Sequence, residues 1–338
     1  MTRRVNLALQ GGGAHGAFTW GVIDRLLEED DLEIAGISGT SAGALNGAAL
    51  KAGLLAGGRV AAQKRLDRLW TQVGEIGDFR MLPWIQPFMP ALRLWQQTAE
   101  ALLPVSPQGI AAQLYSPYSL GDAWENPLDP VVRDLDFSRV CQSADPRLFV
   151  SATNVRTGKI KVFEGEAITP EVLLASACLP TVFQAVEIGG EAYWDGGYSG
   201  NPALFPLYEP DLPDDILVVS INPMRRDELP ESPLEIQNRI NEISFNASLL
   251  GELRAINFVR RLIAEGRMER GRMKDVRVHM IADDGLMNAL SATTKLAPSP
   301  QLLARLKAAG REAADRFLAE CRDKIGREPT INLPEVLS

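Results

Sequence analysis

The chain has 338 residues, 46% of them hydrophobic and 23% charged, enough for a sizeable buried core. A net charge of -8 and an isoelectric point near 5.1 exclude the globally basic surface that phosphate neutralisation needs, so no nucleic-acid partner is expected. Three widely spaced cysteines, Cys141, Cys178 and Cys321, exclude a disulfide framework or zinc site and read as core or half-buried thiols.

The basic start is followed by too short an apolar stretch for a signal peptide, and Val5 to Gln10 reads as a first strand. It runs into Gly11-Gly12-Gly13, after which Phe18, Val22 and Leu26 mark a helix over Ala17 to Glu29. Glu33 to Ser38 is a second strand, entering Gly39-Thr40-Ser41-Ala42-Gly43, and Ala42 to Leu55 is the next helix. Two strand-loop-helix units in succession predict an α/β fold: a central, mostly parallel sheet flanked by helices. Residues 74 to 130 interleave prolines with Trp84, Phe88, Trp95, Tyr115, Tyr118 and Trp124, and read either as short helices capping the core or as a lid or acyl-chain wall.

Strands resume at Arg147 to Thr153, Ile160 to Glu164, Ala185 to Ile188, Ile216 to Ile221 and Val276 to Ala282, with a hairpin turn at Asn154 to Gly158. A long helix covers about Leu234 to Glu265. A last one starts at Ser299-Pro300, an N-cap serine before an N1 proline, and its expected core stripe is Leu302, Leu306, Ala313, Phe317 and Cys321. With no repeat and no linker, 1–338 reads as one domain, with a catalytic core over 5–207 and the strands and helices of 208–338 packed on it. No window approaches the roughly 20 apolar residues of a membrane span, so the expected location is the cytoplasm, with peripheral membrane contact left open.

Gly39-Thr40-Ser41-Ala42-Gly43 is a Gly-x-Ser-x-Gly pattern at a strand-to-helix turn, where a serine is forced outward and Gly39 and Gly43 let strand and helix approach. The helix N-terminus beyond it favours developing negative charge. Gly11, Gly12 and Gly13 expose consecutive backbone N–H groups, as an oxyanion hole requires. Together with Gly16 they also fit Gly-x-Gly-x-x-Gly, but the acids a dinucleotide site would use, Asp30 and Asp31, precede the second strand instead of closing it.

A serine nucleophile needs a base, and the chain has only two histidines. His279 completes the order Ser41, Asp195, His279 of a hydrolase triad, but it lies in mid-strand, where a structural role is the commoner one. His15 sits in the glycine loop, either as a solvent-facing side chain or as a donor near the oxyanion or an acidic head group. Asp195 is the stronger base: Tyr193-Trp194 delivers it to the Gly196-Gly197 turn, from which it can reach another loop.

Gly11-Gly12-Gly13-Ala14-His15-Gly16, Gly39-Thr40-Ser41-Ala42-Gly43 and Asp195-Gly196-Gly197, preceded by Ala175-Ser176-Ala177-Cys178-Leu179-Pro180 and followed by Asn201-Pro202, closely resemble the patatin-like phospholipase family over about residues 5 to 207. The resemblance implies a three-layer α/β fold related to the α/β hydrolases. It also implies that Ser41 is the nucleophile, Asp195 the base of a two-residue dyad and the glycine loop the oxyanion hole. The family carries Arg or Lys where this chain has His15, which replaces a permanent charge by one that titrates near neutrality. The expected function is serine acyl hydrolysis of lipid esters. An intracellular 3-hydroxybutyrate-type polyester depolymerase or short-chain esterase could use the same dyad, and a non-catalytic lipid-binding protein of the same fold is the reading against which the intact serine, aspartate and glycines count. No metal motif or phosphate loop is present, and no cofactor is expected.

Overall fold

The computed structural model describes residues 2–76, 117–118, 126–290, 292–295 and 297–338. Nearly all of the expected lid at 74–130 therefore lies outside the described residues.

Among the described residues, eight strands form one mixed sheet in the order β5-β6-β3-β2-β1-β7-β8, with β4 on β3. They are β1 (Arg3–Leu9), β2 (Leu32–Thr40), β3 (Arg147–Asn154), β4 (Ile160–Glu164), β5 (Val186–Ile188), β6 (Glu191–Asp195), β7 (Asp215–Val219) and β8 (Arg277–Ile281). The neighbours β3-β2-β1-β7-β8 are all parallel, whereas β4, β5 and β6 pair antiparallel. Side chains alternate across the sheet as a pleat demands: Leu7, Leu9, Leu217 and Val219 join one apolar cluster, and Ala8, Ile216 and Val218 the other.

On the first face lie α1 (Gly16–Leu26), α2 (Ala42–Ile76), α3 (Pro170–Ser176) and α5 (Pro300–Cys321), contributing Phe18, Leu50, Leu173 and Leu306 to the cluster. The second face is covered by α4 (Pro233–Ala264) through Leu249, Leu253 and Ile256, with Leu204, Leu207 and Leu333 beside them. Helices on both sides of the sheet make the three layers that the sequence predicts. Each buried aliphatic side chain contributes about 1.5–3 kcal/mol relative to exposure.

Helix α2 is longer than expected. It kinks at Gly57-Gly58, just past Leu55 where it was expected to end, and a second helical stretch continues to Ile76 with Leu66, Leu69 and Trp70 buried. Helix α5 begins as its sequence indicates, with Ser299 Oγ accepting from Leu302 N at 3.3 Å. Its core stripe differs from the expected one: Leu303, Leu306, Gly310, Ala313, Ala314, Phe317 and Leu318 are buried, while Leu302 and Cys321 lie half-buried at the margin. A spacing of four drifts off a 3.6-residue turn, so a strict four-residue stripe leaves the face at both ends. Helices α1 and α5 cross closely: a Cβ at Gly21 would lie 2.0 Å from Lys307 O, and one at Gly310 would lie 2.0 Å from Phe18 O.

Two strand ends converge at β3. Ser151 pairs with Thr40 of β2 on one side and Val162 of β4 on the other, and the next residue, Ala152, pairs with Lys161 of β4 and Asp195 of β6. β6 therefore takes over the side of β3 that β2 vacates. The two strands run toward each other, and their carboxyl ends meet.

Candidate active site

Ser41 follows directly on Thr40 and has φ 54°, making it the one non-glycine residue with positive φ among the described residues. That left-handed conformation turns the chain sharply from β2 into α2, and an L-residue holds it at a cost of about 1–2 kcal/mol. The turn needs close backbone approach: a Cβ at Gly43 would lie 2.1 Å from Leu9 O, and one at Gly39 would lie 2.6 Å from Gly43 O. Ser41 N donates to Ser176 Oγ at 2.9 Å, and Ser176 Oγ donates to Ser151 O at 2.7 Å, so a buried serine of α3 pins the turn to β3. The third and fourth amides of α2 return to Ser41 O, from Ala44 N at 2.9 Å and Leu45 N at 3.1 Å, and the helix N-terminus begins at the turn itself.

Asp195 ends β6 and is 1% exposed. Its Oδ1 accepts from Gly197 N at 2.7 Å, its N donates to Cys178 O at 2.8 Å and its O accepts from Thr153 Oγ1 at 2.8 Å. Burial pushes the carboxyl up to about 7, against the opposing pull of the Gly197 amide and of a hydrogen bond from the Ser41 hydroxyl. A buried carboxylate beside a serine hydroxyl, with its pKa near neutrality, has the properties of a general base. Gly196 is pressed onto β3, where a Cβ would lie 2.3 Å from Ser151 O, and Gly197 lies under the Phe245 ring, 2.8 Å from the position of its Cβ. Burial and the nearby Asp195 also raise the Cys178 thiol to about 12, so it stays protonated.

The glycine loop abuts the turn: a Cβ at Gly11 would lie 2.7 Å from Ser41 Cβ, and one at Gly16 would lie 2.6 Å from Ala42 Cβ. Of the three expected oxyanion donors, Gly11 is already committed, its N–H donating to Asn201 Oδ1 at 2.6 Å. Gly12 N–H and Gly13 N–H meet no acceptor among the described residues. Gly13 requires glycine on two counts, with φ +60° and Lys295 O 2.3 Å from the position of a Cβ.

A buried amide network fixes this loop. Gln10 Oε1 accepts from Ile221 N at 2.9 Å and Asn222 N at 3.1 Å, and Gln10 Nε2 donates to Asn246 Oδ1 at 3.3 Å. Asn222 Nδ2 donates to Gly11 O at 2.7 Å. Sequence reasoning missed Gln10, Asn222 and Asn246 and quoted Ser176 and Asn201 without a role. A polar residue closing an apolar strand, as Gln10 does, was the one available signal.

His15 does not face solvent. It is 1% exposed, with its ring Nε2 2.8 Å from Thr294 Oγ1, and burial, reinforced by repulsion from Lys295, lowers its pKa to about 3. A neutral, covered imidazole offers an anionic head group no charge. The covering segment is 279 positions away in sequence, which is why the loop alone suggested exposure. His279 is also fully buried, with Nε2 2.9 Å from Asp215 Oδ1. His279 pairs with Leu217 from β8, three strands and about 14 Å across the sheet from β2, which leads into Ser41, so the structure separates His279 from the serine. Asp31, the acid considered for a ribose, precedes β2 and receives Arg322 Nη2 at 2.5 Å. The three cysteines are free, Cys178 buried and the others half-buried. Among the described residues no cluster suited to a metal ion occurs, and no helix is long and apolar enough to cross a membrane.

Residues 7–208 match the family model for patatin-like phospholipase, and the chain belongs to that family. A search of curated proteins found no match. Among solved structures, VipD from Legionella pneumophila is similar at 16% identity over 94% of this chain and 67% of its own, with a TM-score of 0.43. The ExoU-SpcU complex of the Pseudomonas aeruginosa type III secretion system is similar at 19% identity over 96% of this chain, with a TM-score of 0.30. The chain spans 61% of that second relative's length.

Proposed function

We propose that this protein is a serine acyl hydrolase that cleaves carboxylic esters of lipids through a Ser41–Asp195 dyad and an acyl-enzyme. The observation that carries the reading is the meeting of β2 and β6 at β3, which sets a serine in a left-handed turn against a buried carboxyl raised to about 7. Asp195 takes the Ser41 proton as Oγ attacks the ester carbonyl, and the Gly12 and Gly13 amides receive the oxyanion. Such donors contribute about 2.7–4 kcal/mol each to transition-state stabilisation. Collapse breaks the ester C–O bond, and the departing alkoxide takes the proton back from Asp195. Water then attacks acyl-Ser41, giving its proton to Asp195, and the fatty acid leaves as Oγ is reprotonated.

Wild type, Ser41→Ala and Asp195→Asn are to be assayed on p-nitrophenyl esters from butyrate to palmitate, on a phospholipid and on a 3-hydroxybutyrate oligomer, alongside fluorophosphonate labelling. Turnover that needs both residues, with a preference for long acyl chains, is the expected result. Substantial esterase activity in Ser41→Ala, or no labelling and no turnover in wild type, would sink the reading.

A further inference from the structure

The glycine loop is held from outside by one residue acting at two points. Lys295 O packs against Gly13, 2.3 Å from where a Cβ would stand. The same residue's Nζ donates to Asn222 Oδ1 at 3.4 Å, and Asn222 in turn donates to Gly11 O at 2.7 Å. The ammonium is itself anchored, donating to Glu242 Oε1 at 3.0 Å.

Glu242, on α4, is a fully buried carboxylate. Arg226 grips it through Nε and Nη2, each at 2.8 Å, and Arg239 Nη1 reaches it at 3.4 Å. Burial alone would raise its pKa, but Arg226 and Lys295 hold it down to about 2, so the anchor stays charged throughout the neutral range. Burial pulls Lys295 below its ordinary value, with Glu242 opposing the shift and Arg226 and Arg239 adding repulsion. A lysine so placed needs the carboxylate to remain an ammonium in position.

We infer that Lys295, anchored by Glu242, is a positioning residue for the Gly12 and Gly13 amides, fixing the oxyanion loop through Gly13 on one side and through Asn222 and Gly11 on the other. The inference rests on the hydrolase reading for its kinetic consequence but not for its structural one. A loop of three glycines has little conformational preference of its own, and an oxyanion donor misplaced by a fraction of an ångström forfeits most of its effect on the transition state.

Lys295→Met removes the charge and keeps the length, while Glu242 stays paired with Arg226 and Arg239, so folding should survive. With p-nitrophenyl butyrate its kcat is expected to fall by about tenfold or more with KM within about twofold, the pattern of a lost transition-state interaction. Fluorophosphonate labelling should slow by a similar factor, because the phosphonyl oxygen needs the same donors. Lys295→Arg, which can still reach Glu242 and Asn222, should recover most of the rate. A double variant with Glu242→Gln should lose no more kcat than the worse single change, since the two groups act as a unit.

Amide hydrogen exchange in the peptide 10–16 is the readout independent of turnover: it should accelerate in Lys295→Met and return toward wild type in Lys295→Arg. A folded Lys295→Met with wild-type kcat, or with unchanged exchange in that peptide, overturns the inference. Absence of turnover and labelling in wild type would instead count against the hydrolase reading, and the exchange experiment would still decide the role of Lys295. Should Lys295→Met not fold, Lys295→Gln, one bond shorter and without the charge that pairs with Glu242, takes its place with the same expectations.

Discussion

Thr40 and Asp195 occupy successive rungs on the same side of β3, Thr40 opposite Ser151 and Asp195 opposite Ala152. Ser41 is thus delivered to the carboxylate by sheet hydrogen bonding, not by loop-to-loop contact, and the separation of the two groups is set by the rigid part of the molecule.

The turn at Ser41 stores strain that a glycine would release. Ser41→Gly is expected to be more stable than Ser41→Ala by about 1 kcal/mol in urea unfolding, since both lack the hydroxyl and only glycine is at ease at φ 54°. Neither variant should turn over ester. Equal stabilities would mean that the left-handed turn costs nothing.

Asp195 must be ionised to accept a proton, so kcat/KM should rise with pH through an inflection near 7. The linkage to stability has the opposite sense. The folded carboxyl holds its proton up to about 7 where the unfolded one loses it near 3.8, so wild type loses stability as pH rises through that window. Asp195→Asn should lack this loss and be the more stable protein at pH 8, by up to a few kcal/mol. Identical pH dependence of unfolding in the two proteins would contradict a raised Asp195.

His15 gives a second stability window. Its folded pKa lies near 3 against 6.5 unfolded, so its contribution is fully present above 6.5 and drains away as the pH falls toward 3. His15→Gln should flatten the acid limb of a stability–pH profile measured between those values, and an unchanged limb would show that the imidazole is not buried as described.

His279→Ala should cost stability and spare chemistry. It strips a fully buried ring from Asp215 and from its edge contact with Phe317, a loss of about 2–4 kcal/mol, with Ser41-dependent turnover per folded molecule retained. Loss of turnover without loss of fold would restore the triad.

Ser176→Ala removes the acceptor for Ser41 N and the donor to Ser151 O together. A loss of about 1–2 kcal/mol is expected from the unpaired amide, with a fall in kcat of about tenfold as the turn loosens. Wild-type kcat would show that α2 holds the serine unaided.

What could be read in the sequence was local. The glycine loop, the Gly-x-Ser-x-Gly turn, the Asp-Gly-Gly turn and the parallel strands all announce themselves within a dozen residues, because close backbone approach admits only glycine and strand ends carry their own punctuation. The burial of His15, the commitment of Gly11 N–H to Asn201 and the role of Ser176 were not visible, since each depends on a partner more than 130 positions away. Hydrophobic periodicity likewise placed α5 but misjudged which of its residues lie at the margins of the buried face.

The site residues and their supports appear at different times as the chain is made. By the point at which Asp195 has been synthesised, Ser41 and both glycine motifs exist, but the central strand β1 still lacks β7 along one edge, and Gln10 and Gly11 lack Asn222 and Asn246. Lys295, whose backbone oxygen packs against Gly13, comes later still. A nascent chain that already carries both Ser41 and Asp195 therefore still lacks Asn222 and Lys295, the residues that hold Gly11 and Gly13 in the folded protein.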